Sequence, residues 1–404
     1  MIDPIVLDEY ESAVTPLTVD EVAALRRLVG SRLSVTASDN PGEWVIKATA
    51  YVGTVVIGAV RVLVRPKVAN ANLFHLLEAG GQALDVRPEA FEYDRTGDLV
   101  PSFATFFARV AETALARGVH RAYDEREGAL LAVRGRIAVA AQQRQLGLPL
   151  PIACRFDEYT GDVPLNRIVK AAAERLSRLR AVTSTTRSAL AAILARFEEV
   201  SSLQGPELRT PTIFNRLNLH YRSVERLARM VLDSTSPLDV VGDTEAGAFL
   251  INMNSVFEEF VEARLREYLA GELQVEGQGT RWMDSGHRVV QLVPDLIFRR
   301  GSQPVYVGDT KYKLLVEEEK GRNPDYYQLL AYTTALDVPE GVLVYCHDDG
   351  SAPRSIIVEH VGTQLFMRGI RLDGTPTDLD NQLRDLADWI VQRCAVPANE
   401  ALSA

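Results

Sequence analysis

No run of about 18 consecutive apolar residues occurs in the chain, so no segment reads as a membrane-spanning helix. The opening residues Met1-Ile2-Asp3-Pro4 have neither the basic flank nor the apolar stretch of a secretory signal, and a cytoplasmic location is the expectation. Cysteine is scarce. The three thiols, Cys154, Cys346 and Cys394, lie far apart and lack CxxC spacing, which fits neither a disulfide framework nor a zinc cluster. The six histidines, His75, His120, His220, His287, His347 and His360, are dispersed, with no HExxH and no close pair. There is no convincing GxSxG elbow or GxGxxG turn. A GxxxxGK[ST] phosphate loop is also missing, so any nucleotide hydrolysis belongs to another chain.

Positive charge is in deficit as well. The net charge of −10 runs against a nucleic-acid role, because phosphate binding needs local lysine and arginine. Net charge is only a sum, however. An acidic body carries a basic groove without contradiction, and metal-binding carboxylates themselves add negative charge. The composition, 47% hydrophobic and 24% charged, is that of an ordinary globular protein. At 404 residues the chain is too long for one core and implies two or three domains.

Residues 18–29 form an amphipathic pattern opened by Thr18 or Asp20, which predicts a capped helix. From Trp44 to Val68, β-branched runs broken by Gly53 and Gly58 predict a strand-turn-strand meander ending at Val64-Arg65-Pro66-Lys67. Helices are expected at 70–84 and 101–117, strands and turns at 129–156, and helices again at 164–200 and 214–234. Punctuation at 234–237 and 242–247 places the main boundary near 240. Beyond it the expected order is helix 247–270, strands 287–298 and 304–313, helix 323–337, strand 340–346, a possible strand at 355–360 and a terminal helix 377–394. The fold class is α/β (α+β overall). The expected divisions are a β-rich region 1–125, a strand-turn and helical region 126–240, and a small α/β domain 241–404.

Two β-rich runs carry the chemistry: Val293-Pro294-Asp295-Leu296-Ile297-Phe298 and Val305-Tyr306-Val307-Gly308-Asp309-Thr310-Lys311. They flank Gly301-Ser302, so an antiparallel hairpin centred near Ser302 sets Asp295 almost opposite Asp309. Two such carboxylates repel unless a cation lies between them, and a hard divalent ion suits them. Asp309 and Lys311 are one residue apart and share a strand face, which puts an ammonium beside that ion. The preceding helix offers Glu258 at the flank of its apolar stripe, whereas Glu259 lies on the opposite side. Downstream, Gln328 and Tyr332 stand one helical turn apart and point hydrogen-bond donors at a phosphate or at the carboxylates. An isolated Asp-x-Lys is usually a surface ion pair worth little. In this order and on these elements, the set points to metal-assisted phosphodiester hydrolysis.

Glu258, Pro294-Asp295, Asp309-Thr310-Lys311 and Gln328-x-x-x-Tyr332 together resemble the PD-(D/E)xK nuclease superfamily, the last pair being similar to its RecB-like branch. The wording Phe257-Glu258, Asp309-Thr310-Lys311-Tyr312-Lys313 and Tyr327-Gln328-Leu329-Leu330-Ala331-Tyr332 resembles, more narrowly, the McrC family of endonuclease subunits in modification-dependent restriction systems. Gly53–Lys67, Val133-Arg134-Gly135-Arg136-Ile137, Phe156–Asp162 and Leu165-Asn166-Arg167 look like further landmarks of that family.

The resemblance implies a C-terminal restriction-endonuclease-like domain, a mixed sheet flanked by helices, behind a β-rich and helical N-terminal region. It implies Mg²⁺, or Mn²⁺, held by Asp295, Asp309 and Glu258, with Lys311, Gln328 and Tyr332 completing the catalytic set. It also implies modified double-stranded DNA as substrate and a McrB-like AAA+ GTPase hexamer as partner, with GTP bound by that partner. The N-terminal region would dock on the ring and stimulate its hydrolysis. Arg65, Lys67, Arg134 and Arg136 are candidates for that contact, or else solvated charges flanking strands. Two alternatives stand beside this reading. One is a catalytically silent scaffold that activates an NTPase ring, which intact Asp295, Asp309 and Lys311 argue against; the other is a nuclease of repair or RNA processing.

Overall fold

The computed structural model describes residues 4–68, 70–78, 98–144, 150–235, 239–241, 244–283, 288–313, 323–346 and 354–395. They form two compact units, one made of Met1–Gly97 with Leu238–Ala404 and the other of Asp98–Pro237. The second break lies close to the expected boundary near 240, the first lies at Gly97 where 125 was expected, and the two outer segments belong to one unit. The N-terminal strands do not form a body of their own, because their hydrogen-bonding partner comes from far along the chain.

That partner is the strand Thr244–Asn252, which runs antiparallel to Tyr51–Ile57 with Phe249 opposite Thr54 and Leu250 opposite Gly53. The resulting five-stranded sheet has the order Ile5–Asp8, Val60–Arg65, Tyr51–Ile57, Thr244–Asn252, Asp239–Val241. The expected helix at 247–270 is thereby corrected. Its first residues, Ala248-Phe249-Leu250-Ile251, are a strand buried in the sheet, and the helix Met253–Tyr268 begins only after Asn252, whose side chain caps Asn254 N–H. A short apolar run suits a buried strand as well as a helix. The expected meander is also split. Glu43–Ala48 lies in a separate three-stranded sheet between Ser12–Pro16 and Leu33–Ala37, while Tyr51–Ile57 and Val60–Arg65 pair in the larger one. The helix Val19–Val29 starts at Thr18, whose hydroxyl and Glu21 form the reciprocal cap.

The C-terminal part of this unit is a six-stranded mixed sheet in the order Gln274–Gly277, Leu296–Arg300, Gln303–Lys311, Glu340–Tyr345, Gln364–Gly369, Arg354–Ile357. Gln303–Lys311 is central: antiparallel to Leu296–Arg300 on one side and parallel to Glu340–Tyr345 on the other. Strand alternation assigns its two faces. On one face Ile297, Val307, Leu343, Leu365 and Met367 form a core with Leu329, Tyr332 and Leu336 of the helix Asn323–Leu336. On the other, Tyr306 and Phe366 meet the Trp389 ring of the helix Pro376–Ala395 edge-on, at 6.1 and 5.0 Å between centroids. The helix Met253–Tyr268 lies against Pro376–Ala395 and against the central strand. The edge strand Gln274–Gly277 and the strand Gln364–Gly369 had no counterpart in the sequence reading. Buried Asn72 and partly buried His75 of the helix Asn70–Glu78 tie the N-terminal segment to this body, through Leu372 O at 2.7 Å and Asp380 at 3.0 Å.

The unit Asp98–Pro237 consists of helices Leu99–Leu115, Pro164–Ser177, Ser184–Arg196 and Arg222–Ser234, with a long antiparallel pair Ala122–Leu130 and Ile152–Thr160. Asn166 is fully buried and donates to His120 O and Gly161 O, which explains the Leu165-Asn166-Arg167 landmark as a structural tie. Gly135 holds φ +69, and a Cβ there would stand 2.4 Å from Arg155 O. The expected punctuation at 234–247 lies partly outside the described residues, as do the end of the expected helix at 70–84, His287 and His347.

Gly53 is the point where the two halves of the larger sheet meet most closely. It holds φ +137, and a Cβ would lie 2.1 Å from Phe249 O. Gly53→Ala should therefore lower unfolding free energy by well over ~1 kcal/mol, because strain and strand separation add. Gly30→Ala, at a helix terminus with nothing within 4 Å of the added carbon, should cost less. Urea unfolding of both variants checks the order, and equal losses would contradict it.

Candidate active site

The hairpin places the two aspartates as its register requires. Leu296 pairs with Gly308 and Ile297 with Val307, so Asp295, one residue before the strand, falls opposite Asp309. A register shift between Phe298 and Arg299 absorbs the two-residue turn Gly301-Ser302. Asp309 is 1% exposed. It lies on the same strand face as Val307 and Lys311, the face covered by the helix Asn323–Leu336.

Lys311 Nζ forms an ion pair with Asp309 Oδ2 and donates to Gln328 Oε1 at 2.9 Å. Gln328 Nε2 donates to the Tyr332 hydroxyl at 2.7 Å, and that hydroxyl donates to Val293 O at 3.1 Å. The Gln-x-x-x-Tyr pair therefore connects the lysine to the backbone just ahead of Pro294-Asp295. It orients the lysine and the aspartate turn together. Asp295 Oδ2 accepts from Thr310 N at 2.7 Å and Thr310 Oγ1 at 2.9 Å, which fixes its carboxylate on the central strand. Glu258, on the helix Met253–Tyr268, accepts from Gln278 Nε2 at 2.8 Å.

Three residues in this arrangement went unread in the sequence: Gln278, Thr310 and the carbonyl of Val293. Gln278 holds φ 49 and its N–H donates to Asp295 O at 3.3 Å. Its glycine neighbours were the available signal. A Cβ on Gly277 would collide with the Glu262 carboxylate at 2.1 Å, and one on Gly279 would meet Glu276 at 2.5 Å.

The carboxylates act on one another's charge. Burial pushes the Asp309 carboxyl up to about 7, the nearby Asp295 charge adds to this, and Lys311 pulls it back. Burial likewise raises Glu258 to about 7, again with Asp295 adding and the Gln278 hydrogen bond opposing. Tyr332 is raised to about 12, by burial first and then by Asp309, with Asp295 and Glu258 contributing. Three acidic groups on three elements thus share one electrostatic neighbourhood. As placed, each is turned to a protein donor, and among the described residues no three His, Cys, Asp or Glu side chains form a ready metal cage. The fit to a divalent ion rests instead on donor type and charge. All three are hard oxygen donors, the Asp295 charge disfavours ionisation of the other two, and Asp309 Oδ2 is buried without a well-directed hydrogen bond.

The sign of the pH effect follows. A carboxyl whose folded value lies above its unfolded one contributes stability that is complete below about 4 and is lost as pH rises towards about 7. In metal-free buffer the wild-type protein should therefore lose stability over that range relative to Asp309→Asn, whose amide cannot ionise. Chemical unfolding of both at several pH values checks this, and parallel curves would refute it.

Comparison with known proteins places the fold. A chain of the refined half-complex from the tetradecameric assembly of Thermococcus gammatolerans McrB AAA+ hexamers with bound McrC is similar over 96% of this chain and 100% of its own, with a TM-score of 0.54 and 20% identity. The cryo-EM structure of the Thermococcus gammatolerans McrBC complex holds a chain similar over 66% of this one and 88% of its own, with a TM-score of 0.42 and 22% identity. No curated protein matches the chain. The family described as McrBC 5-methylcytosine restriction system component matches residues 46–346, a span that takes in the strands Tyr51–Ile57, Val60–Arg65 and Thr244–Asn252, the whole of the inserted unit and every one of the six site residues. The chain belongs to this McrBC family.

Proposed function

We propose that this chain is the Mg²⁺-dependent DNA endonuclease subunit of a modification-dependent restriction complex, a PD-(D/E)xK enzyme that hydrolyses phosphodiester bonds alongside an AAA+ GTPase. The observation that carries this reading is the ion pair of buried Asp309 with Lys311, set beside Asp295, whose charge bears on both Asp309 and Glu258. A structural ion pair needs one carboxylate; a neighbourhood of three hard oxygen donors suits a divalent cation.

Asp309, Asp295 and Glu258 are the residues that would hold the ion, which would supply Lewis-acid activation of water and phosphate. The chain's own groups do the rest. Lys311, fixed by Asp309 on one side and Gln328 on the other, places a positive charge where negative charge develops on the phosphate. Gln328 and Tyr332 keep the lysine and the Pro294-Asp295 turn in mutual alignment. Thr310 holds Asp295 on the strand that carries Asp309 and Lys311.

The AAA+ partner is inferred from the family and from the McrB hexamers named for the similar structure. The surface proposed for it lies on the unit Asp98–Pro237. Tyr123 and Leu131 on the long hairpin are 76% and 83% exposed, with Val133, Ile137 and Val139 exposed nearby. Arg134, exposed beside them, lies over the Phe156 ring at 4.3 Å, and Arg136 is also exposed. Arg134 also pairs with Glu158 at 3.7 Å, Arg65 pairs with Asp8 at 3.0 Å, and Lys67 lies 5.0 Å from the Tyr10 ring centroid.

The test is plasmid cleavage by the chain with its cognate AAA+ GTPase, Mg²⁺ and GTP, on methylated and unmethylated DNA. Cleavage of methylated DNA alone is expected, with Asp309→Asn and Lys311→Ala each slowing it by at least roughly 100-fold while GTP turnover persists. Gln328→Ala should cost less, since it only orients the lysine. Undiminished cleavage by Asp309→Asn would rule out this site, and GTP stimulation without any cleavage would favour the scaffold role. Independently of turnover, Mg²⁺ should raise the melting temperature of wild type above pH 7 and leave Asp309→Asn unmoved.

A further inference from the structure

The residue after Lys311 is a second point of control. Tyr312 is buried and points to the opposite sheet face from Lys311. Its hydroxyl donates to Glu9 Oε1 at 3.0 Å, across 303 positions of sequence. Glu9 is 2% exposed, an unusual place for a carboxylate, and it stands in the turn that follows the first strand of the N-terminal sheet. Glu9 Oε1 also accepts from Lys67 N at 3.2 Å, so the same oxygen joins two N-terminal segments to the strand end. The next residue, Tyr10, adopts φ 65, and its hydroxyl donates to the Tyr312 carbonyl at 3.4 Å. The N-terminal turn therefore holds Tyr312 by side chain and by backbone.

Tyr312 also touches the other half of the site. Its ring lies 6.0 Å from that of Phe257, the fully buried neighbour of Glu258. One side chain thus adjoins Lys311 along the chain and reaches the helix of Glu258 by ring contact. On the far side of the strand end, Cys346 N donates to Lys311 O at 3.1 Å, and Lys311 pairs with Tyr345 as the last rung of the ladder. Among the described residues the ladder ends at that rung, so the grip on residue 312 adds to what holds the strand end that carries Lys311.

We propose that Glu9 and Tyr312 are positioning residues for the nuclease site: their buried hydrogen bond fixes the end of the central strand, and with it Lys311 relative to Asp309 and Glu258. This rests on the nuclease reading above. Glu9 Oε2 is buried without a hydrogen-bond partner, while burial raises this carboxyl to about 7. A glutamine at this position keeps the acceptor for Tyr312 and Lys67, whereas an apolar residue removes it.

The experiment compares wild type, Tyr312→Phe, Glu9→Gln, Glu9→Leu and Asp309→Asn, each as the full chain with its AAA+ partner. Cleavage of methylated plasmid is measured at saturating Mg²⁺, and hydrogen exchange at the Cys346 amide. Tyr312→Phe and Glu9→Leu should cut roughly 10-fold or more slowly at an unchanged half-saturating DNA concentration, the usual scale for losing an outer support of a metal site. Glu9→Gln should stay near the wild-type rate. Tyr312→Phe combined with Glu9→Leu should be no slower than either alone, because both remove the same contact. Cys346 exchange should accelerate in both slow variants. A wild-type rate in Tyr312→Phe overturns the proposal, and so does unchanged Cys346 exchange, whether or not any DNA is cut. Failure of wild type to cleave, or full activity in Asp309→Asn, overturns the nuclease reading instead and leaves the exchange result to decide whether the contact holds the strand.

Discussion

A carboxylate at the centre of a mixed sheet sets the terms for everything around it. Asp309 is surrounded by Val307, Leu343 and the helix Asn323–Leu336, where an ionised group loses most of its hydration. It persists there because Lys311 stands two residues along on the same face. The lysine in turn needs Gln328, Gln328 needs Tyr332, and Tyr332 is anchored to Val293 O. Asp309 and Tyr332 are buried polar groups that would be costly to leave unpaired, whereas Gln328 between them is exposed. The pairing of Asp309 with Lys311 is therefore a condition for building this strand, before any question of catalysis. A cation that satisfied the carboxylates would relieve the same electrostatic cost, so stability and metal affinity draw on one set of residues.

The second dependence is architectural. The helix Met253–Tyr268, which carries Glu258, is entered directly from the strand Thr244–Asn252, and that strand pairs with Tyr51–Ile57. Glu258 is thus placed by the N-terminal sheet as much as by the one that carries the aspartates. Asn72 with Leu372 O, His75 with Asp380 and Glu9 with Tyr312 repeat the pattern at three other points. The N-terminal residues are part of the framework of the site, which is why the segments before Gly97 and after Pro237 form one unit.

How much was legible in the sequence follows from the range of each interaction. The hairpin register came through because it depends on alternation and a glycine turn within a few residues, and it set Asp295 against Asp309. The helix start at Thr18 came through for the same reason. Thr244–Asn252 was misread because Phe249-Leu250-Ile251 is apolar whatever its conformation, and its pairing partner is nearly two hundred residues away by simple numbering. Gln278 was invisible because a polar residue between glycines reads as a loop; only the collision a side chain on Gly277 would have with Glu262 reveals why the backbone bends there. Glu9 sits in a short turn between two strands, where the local sequence carries no sign of burial. Its burial is a property of tertiary contact with Tyr312, which no local pattern encodes.

The insertion of Asp98–Pro237 between the two parts of the other unit has a consequence for biosynthesis. As the chain leaves the ribosome, Tyr51–Ile57 emerges with one edge unpaired and stays so until the whole inserted stretch and then Thr244–Asn252 have been made. An open, β-branched edge is a template for wrong pairing. The inserted segment has helices joined by contacts within itself and can reach a compact state during that interval, whereas the candidate site waits for the strands and helices that follow it. In a nascent chain of this kind Asp295, Asp309 and Gln328 meet only after the inserted unit has been made.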